Sequence, residues 1–156
     1  MAHKRISFAV QVLSHIADRL KDLHASGYVH RDIKPGNIMW LPRKKRWTLI
    51  DFGCAARTGT QAPTGFSLFY AAPEALRSYV AGEGGVEATE ALDAWSLGVL
   101  AIELFTGNSV FDHMHPRQDV RALLMLASSI CCRTLVWIAS YSPPCWVSIC
   151  DTTRVR

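Results

Sequence analysis

Asp32, Lys34 and Asn37 stand within one short run, His30-Arg31-Asp32-Ile33-Lys34-Pro35-Gly36-Asn37, and Asp51 opens a second, Asp51-Phe52-Gly53. Two carboxylates, an amide and an ammonium make a set with chemical range. A carboxylate can accept or orient a proton. Carboxylate and amide oxygens suit a hard cation such as Mg²⁺, which takes one or two carboxylates and completes its shell with phosphate oxygens or water. An ammonium on a flexible stem supplies a point charge. Taken singly, Asp32 or Asp51 reads as a loop carboxylate capping a turn. The set gains meaning only if the chain brings its members together.

The surrounding elements are arranged to do that. Ile6, Val10, Leu13, Ala17 and Leu20 recur at helical steps, with Gln11, Asp18, Arg19 and Asp22 off that face, so residues 6–25 are predicted helical. Gly27 suits a left-handed cap that stops the helix. Tyr28-Val29-His30 reads as a short strand, and Pro35-Gly36 enforces a loop after it. Ile38-Met39-Trp40-Leu41 and Trp47-Thr48-Leu49-Ile50 are two β-forming runs separated by Pro42 and the basic run Arg43-Lys44-Lys45-Arg46. This is a hairpin pattern. Antiparallel pairing puts Asn37 and Asp51 at the same edge.

Residues 54–70 lack periodicity and are rich in Gly, Thr and Pro, which predicts an exposed loop. A short helix is expected over Glu74–Tyr79, then a flexible break at Ala81-Gly82-Glu83-Gly84-Gly85. From Asp93 to Phe105 the chain is apolar on nearly all sides, the pattern of a fully buried helix.

The two runs are followed by Ala72-Pro73-Glu74. These three pieces, in this order, resemble the signature set of eukaryotic-type protein kinases, and Lys34 resembles the serine/threonine branch. The resemblance covers about residues 6–111. It implies an α+β, mainly helical fold: a protein-kinase-like C-lobe with a short β-hairpin next to the catalytic loop. It implies ATP and Mg²⁺ as cofactors and a protein substrate. Asp32 would accept or orient the substrate hydroxyl proton, and Lys34 would point its charge at the transferred phosphate. Asn37 and Asp51 would hold Mg²⁺, and Met39 would contribute to the floor under adenine. Phe52 would pack under the site, and Gly53 would permit a sharp turn. His30 reads as a packed, structural imidazole.

Further expectations follow from the resemblance. Arg31 would receive a phosphate on the activation segment, with Thr58, Thr60 and Thr64 as candidates, though they equally read as ordinary loop hydroxyls. Phe66-Ser67 stands where the family has Gly-Thr. Ser67 can keep the hydroxyl contact to the catalytic loop, while Phe66 adds bulk there. Asp93 would brace the catalytic-loop backbone from the central helix; a buried Asp is costly unless hydrogen-bonded.

The 156 residues carry a formal net charge of only +4, with 49% hydrophobic and 19% charged residues, a globular composition. The basic run reads as a solvated hairpin tip, so no nucleic-acid partner is expected, nuclear import or nucleic-acid binding being the minor alternatives. Five cysteines form no C-x-x-C pair and no secretory signal precedes them, which points to reduced thiols and an intracellular, cytoplasmic protein. Residues 1–111 are assigned to a partial kinase domain and 112–156 to a divergent tail. That tail is apolar between Arg121 and Cys150, but its pieces are broken by Arg133 and Pro143-Pro144 and fall short of the ~20 residues that span a bilayer. No membrane partner is expected, and no late Arg is evident to pair with Glu74.

No Gly-rich phosphate loop or N-lobe lysine is found among these residues, and such parts must be in place for phosphoryl transfer. The 156 residues by themselves are therefore expected to be inactive. Two functions stand: a serine/threonine kinase represented by an incomplete chain, and a non-catalytic C-lobe module that binds a kinase partner or substrate.

Overall fold

A computed structural model describes residues 2–111 and 120–127. Helix α1, Ala2–Ala25, contains no Gly or Pro, and Gly27 at φ +80° turns the chain out of it. The Ser26 hydroxyl donates to the Asp22 and Leu23 carbonyls, satisfying acceptors that the last turn leaves open. The buried stripe is Ala9, Val12, Ile16 and Leu20, which shares only Leu20 with the one expected, Leu13 being partly buried beside it. Ile6 and Val10 are about half exposed, at 49% and 53%. The helix carries overlapping apolar stripes, and packing against Ile33, Leu49 and Leu100 selects among them.

Strand β1, Tyr28–Val29, leads into the loop holding Asp32. Hairpin strands β2, Ile38–Leu41, and β3, Arg46–Leu49, pair antiparallel, with Ile38 opposite Leu49 and Leu41 opposite Arg46. A 3₁₀ turn over Pro42–Lys44 joins them, and Lys45 completes it at φ +45°.

The segment expected to be an irregular loop is paired at two places. Strand β4, Ala56–Arg57, pairs with β1, and β5, Gln61–Pro63, pairs with β6, Gly85–Glu87. Neither pairing has a local signal, because each strand is two or three residues long and its partner is distant in sequence. The expected flexible break at Gly84-Gly85 is the entry to β6. A Cβ at Gly85 would stand 2.9 Å from the Ala62 carbonyl oxygen, so only glycine permits this cross-strand approach.

Helix α2, Pro73–Ala81, starts with Pro at its first position and ends at Gly82. Helix α3, Glu90–Thr106, is less enclosed than expected. It buries Leu92, Asp93, Ser96, Val99 and Leu100, while Ile102 and Phe105 are exposed. Residues 120–127 are helical and bring Leu123 and Ala127 into a core cluster with Ala71, Leu76, Val99 and Phe111. The rest of the segment after 111 lies outside the described residues, including the place where a late Arg was sought. Among the described residues no helix is long and apolar enough to cross a membrane.

Candidate active site

Asp93, on the first turns of α3, fixes the loop from below. Fully buried, it accepts from the His30 backbone N–H at 2.8 Å through Oδ2 and from the Arg31 backbone N–H at 2.7 Å through Oδ1. His24 Nε2 donates a third bond to Oδ2 at 2.8 Å. The buried carboxylate is thus satisfied, as burial demands. Arg31 sits at φ +71°, an unusual conformation for a residue with a Cβ, and the Asp93 contact to its N–H helps hold it there. His24 was not anticipated. Its signal in the sequence is only a histidine near the end of α1, and the partner lies far along the chain.

His30 is buried, with both ring nitrogens engaged. Nδ1 accepts from the Asp32 N–H at 3.3 Å, so Nε2 carries the proton and donates to the Ile50 carbonyl at 3.2 Å. It is a structural imidazole that ties the loop to the end of the hairpin.

Asp32 is the hub. Its Oδ2 accepts from Lys34 Nζ at 2.7 Å and Asn37 Nδ2 at 3.0 Å, and its Oδ1 from the Ser67 N–H at 3.0 Å. Burial pushes the Asp32 carboxyl up, but hydrogen bonds from Lys34 and Ser67, the Lys34 charge and the Asn37 amide outweigh it, leaving it below the usual range. Lys34 Nζ also donates to Ser67 Oγ at 2.7 Å, so the hydroxyl contact survives the Gly-Thr replacement. Phe66 packs edge-on against Tyr79, at 6.2 Å between rings, which directs its bulk toward α2.

Asn37 donates through Nδ2 to both the Asp32 carbonyl and its carboxylate. That orientation leaves Oδ1 as its acceptor. The Asn37 carbonyl accepts from the Ile50 N–H at 2.9 Å, locking the end of the hairpin so that Asn37 and Asp51 meet at one edge. Asp51 is exposed at φ +60°, and its Oδ1 accepts from the Gly53 N–H at 3.2 Å. The left-handed turn therefore falls on Asp51, not on Gly53. A Cβ at 53 would stand 3.1 Å from Asp51 Oδ1, so a side chain there would press on that exposed carboxylate. An amide oxygen and a carboxylate at one edge, with Oδ2 of Asp51 unengaged among the described residues, form a donor set that fits Mg²⁺.

Met39 and Phe52 are 43% and 52% exposed, and Met39 lies opposite Thr48 in the hairpin. Phe52 lies 5.0 Å from the His30 ring. Arg31 differs from expectation. It is 6% exposed, and its guanidinium donates to the carbonyls of Cys54 at 3.1 Å, Ala62 at 3.3 Å and Pro63. The backbone of residues 54–63 engages Nη1 and Nη2, while Nε is buried without a partner among the described residues. Among the described residues Glu74 has no ion-pair partner.

Comparison with known proteins agrees with this arrangement. The protein kinase domain family matches residues 4–148. The chain is 38% identical over 97 residues to human serine/threonine-protein kinase Kist, covering 59% of this chain and 23% of that protein. It is 36% identical over 99 residues to the probable CTD kinase subunit alpha homolog of Encephalitozoon cuniculi, covering 62% and 28%. Mouse mitogen-activated protein kinase 12 is 31% identical over 126 residues, covering 77% and 31%. The chain thus spans roughly a quarter of the length of the curated relatives it matches. It belongs to the protein kinase family, and within that family its resemblance is to serine/threonine kinases.

Proposed function

We propose that the protein is a serine/threonine protein kinase, transferring the γ-phosphate of ATP to protein Ser or Thr hydroxyls. One observation carries this reading: Asp32 is held by Lys34, Asn37 and Ser67 beside an edge where Asn37 Oδ1 and Asp51 are left for a cation. With its carboxyl held low, Asp32 stays ionised and is a weak base. Its part is to accept the hydroxyl's hydrogen bond and orient that oxygen, more than to remove the proton early. Lys34 and the Ser67 N–H keep the carboxylate from rotating, and Lys34 adds a positive charge where phosphate oxygens would gather. Asn37 and Asp51 would hold Mg²⁺, and Mg²⁺–ATP, when bound, would supply the phosphoryl group. Met39 supplies an apolar surface for the adenine.

The element order, from α1 through the catalytic loop, hairpin and activation segment to α3, supports assignment as a kinase C-lobe. The catalytic elements lie within residues 1–111. Residues 112–156 form a tail whose helical stretch packs Leu123 and Ala127 beside Phe111. The protein acts inside the cell, in the cytoplasm, on protein substrates.

A second reading, a non-catalytic C-lobe module that binds a kinase partner or substrate, is favoured by one feature. Met39 and Phe52 are large apolar side chains left exposed, Phe52 directly after Asp51 in the chain. The endogenous polypeptide containing this chain, captured and given ATP and Mg²⁺, separates the two. Phosphate incorporation into Ser or Thr of a generic protein substrate, lost by at least ~10³-fold with Asp32→Asn, is the expected result. Incorporation that Asp32→Asn leaves unchanged overturns the kinase reading, and no incorporation by either form leaves the module.

A further inference from the structure

We propose that the groove between α1 and the β2–β3 turn binds an acidic polypeptide segment of a partner protein. The groove has a volume of about 490 Å³ and is lined by His15, Asp18, Arg19, Lys21 and Asp22 from α1 and by Lys44, Lys45 and Arg46 from the turn. Asn37 and Asp51 lie at the opposite end of the hairpin, so this site is separate from the candidate active site.

The charge balance is one-sided. Five fixed cations face two carboxylates, and among the described residues the only ion pair within the groove is Arg19 Nη2 to Asp22 at 2.8 Å. Arg19 Nε is buried without an acceptor, a donor whose cost a ligand oxygen would remove. His15 Nδ1 accepts from the Trp47 N–H at 3.2 Å, so the neutral ring is left with Nε2 as its donor. Lys45 is held at φ +45°, a conformation that glycine or asparagine adopts more readily. The left-handed Lys45 serves the turn itself, but a solvated hairpin tip requires neither the buried Arg19 Nε nor the His15 contact. Together they set donors from two elements around one concavity.

The same lining chooses among polyanions. A nucleic-acid strand brings a charge about every 3.4 Å and would pass Asp18 and Asp22 whatever its register. No aromatic side chain lines the groove to stack a base. An anionic lipid surface presents charge across a whole plane and would likewise meet Asp18 and Asp22. A peptide can place carboxylates opposite the cations and leave gaps opposite the two aspartates. Carboxylate side chains and phosphoserine share the required chemistry.

The test is fluorescence anisotropy with the full chain and a labelled octapeptide alternating Glu and Ser, with its Gln-for-Glu counterpart as reference. The Glu peptide should bind at least ~10-fold more tightly than the Gln peptide and weaken as salt rises. A phosphoserine peptide with Gln in place of Glu shows whether phosphate serves as well as carboxylate, and either anion binding above the reference supports the site. Lys44→Glu with Lys45→Glu should lose at least ~10-fold, and Arg19→Gln several-fold. Arg43→Glu is the internal control, since Arg43 belongs to the same basic run but does not line the groove. Equal losses for Arg43→Glu and the lining variants would reduce the effect to net charge and overturn the site. So would tighter binding of single-stranded RNA or anionic vesicles than of either anionic peptide, or neither the Glu nor the phosphoserine peptide binding more tightly than the Gln reference. Circular dichroism of each variant confirms that the exposed substitutions leave the fold intact.

Discussion

At the scale of the residue, the ordering of donors around a single carboxylate governs the site. Asp32 is buried, which alone would favour its neutral form, yet Lys34, Ser67 and Asn37 together keep it charged. A carboxyl held below its unfolded value adds stability that is fully present above that value and is lost as pH falls through the folded one. The unfolded value is near ~3.9. The stability difference between wild type and Asp32→Asn should therefore be flat from about pH 7 to pH 5 and narrow steadily below about pH 4. Urea midpoints across that range measure it, and a difference that instead widened with acid would mean that burial outweighs the hydrogen bonds. His30 and Asn37 show a second property of this scale. Their protonation and amide orientation are set by neighbours, Ile50 for one and Asp32 for the other.

At the scale of the element, α3 acts as a brace and α1 as a wall. Asp93 projects from α3 into the catalytic loop and collects three N–H groups with two oxygens. Asparagine has one acceptor oxygen and an NH₂ group, so Asp93→Asn faces at least one buried donor with another. The expected cost is about 2–5 kcal/mol in unfolding free energy. A loss under about 0.5 kcal/mol, the range of neutral surface changes, would show that Asp93 does not hold the loop. The α1 wall contributes Val12, Ile16 and Leu20, which meet Ile33 of the loop and Leu49 of β3 in one cluster. The loop holding Asp32 is thereby anchored on both sides, by the Asp93 carboxylate and by Ile33 in the core.

At the scale of the whole molecule, Arg31 connects parts that neither element reaches alone. Its backbone is fixed by α3 and its guanidinium holds the carbonyls of Cys54, Ala62 and Pro63, so the Asp32 loop, the segment over residues 54–63 and α3 are joined through one residue. Burial lowers the Arg31 pKa, and the charge of Asp93 counts among the opposing influences. The segment should therefore be ordered without a phosphate. Limited proteolysis between residues 54 and 67 should be no faster when Thr58, Thr60 and Thr64 are all alanine, and about tenfold faster in Arg31→Gln. Faster cleavage in the alanine variant but not in Arg31→Gln would restore the phosphate-receiving role. The two-stranded pairings β1–β4 and β5–β6 add to this arrangement, since each fastens the segment to a distant part of the chain.

The sequence by itself determined the family signature, the hairpin, the stop of α1 at Gly27 and the meeting of Asn37 with Asp51. These are set by local turn chemistry and by period-two pairing, which act over a few residues. Tertiary structure decided what depends on distant partners. It selected Ala9, Val12 and Ile16 over Ile6 and Val10, because several apolar stripes fit a helix and only packing chooses one. It also paired residues 56–57 and 61–63, whose strands are too short to show a period. It gave His24 a role at Asp93 and turned Arg31 toward backbone carbonyls. A buried donor takes whichever acceptor the fold presents, and nothing in the local residue order specifies that acceptor.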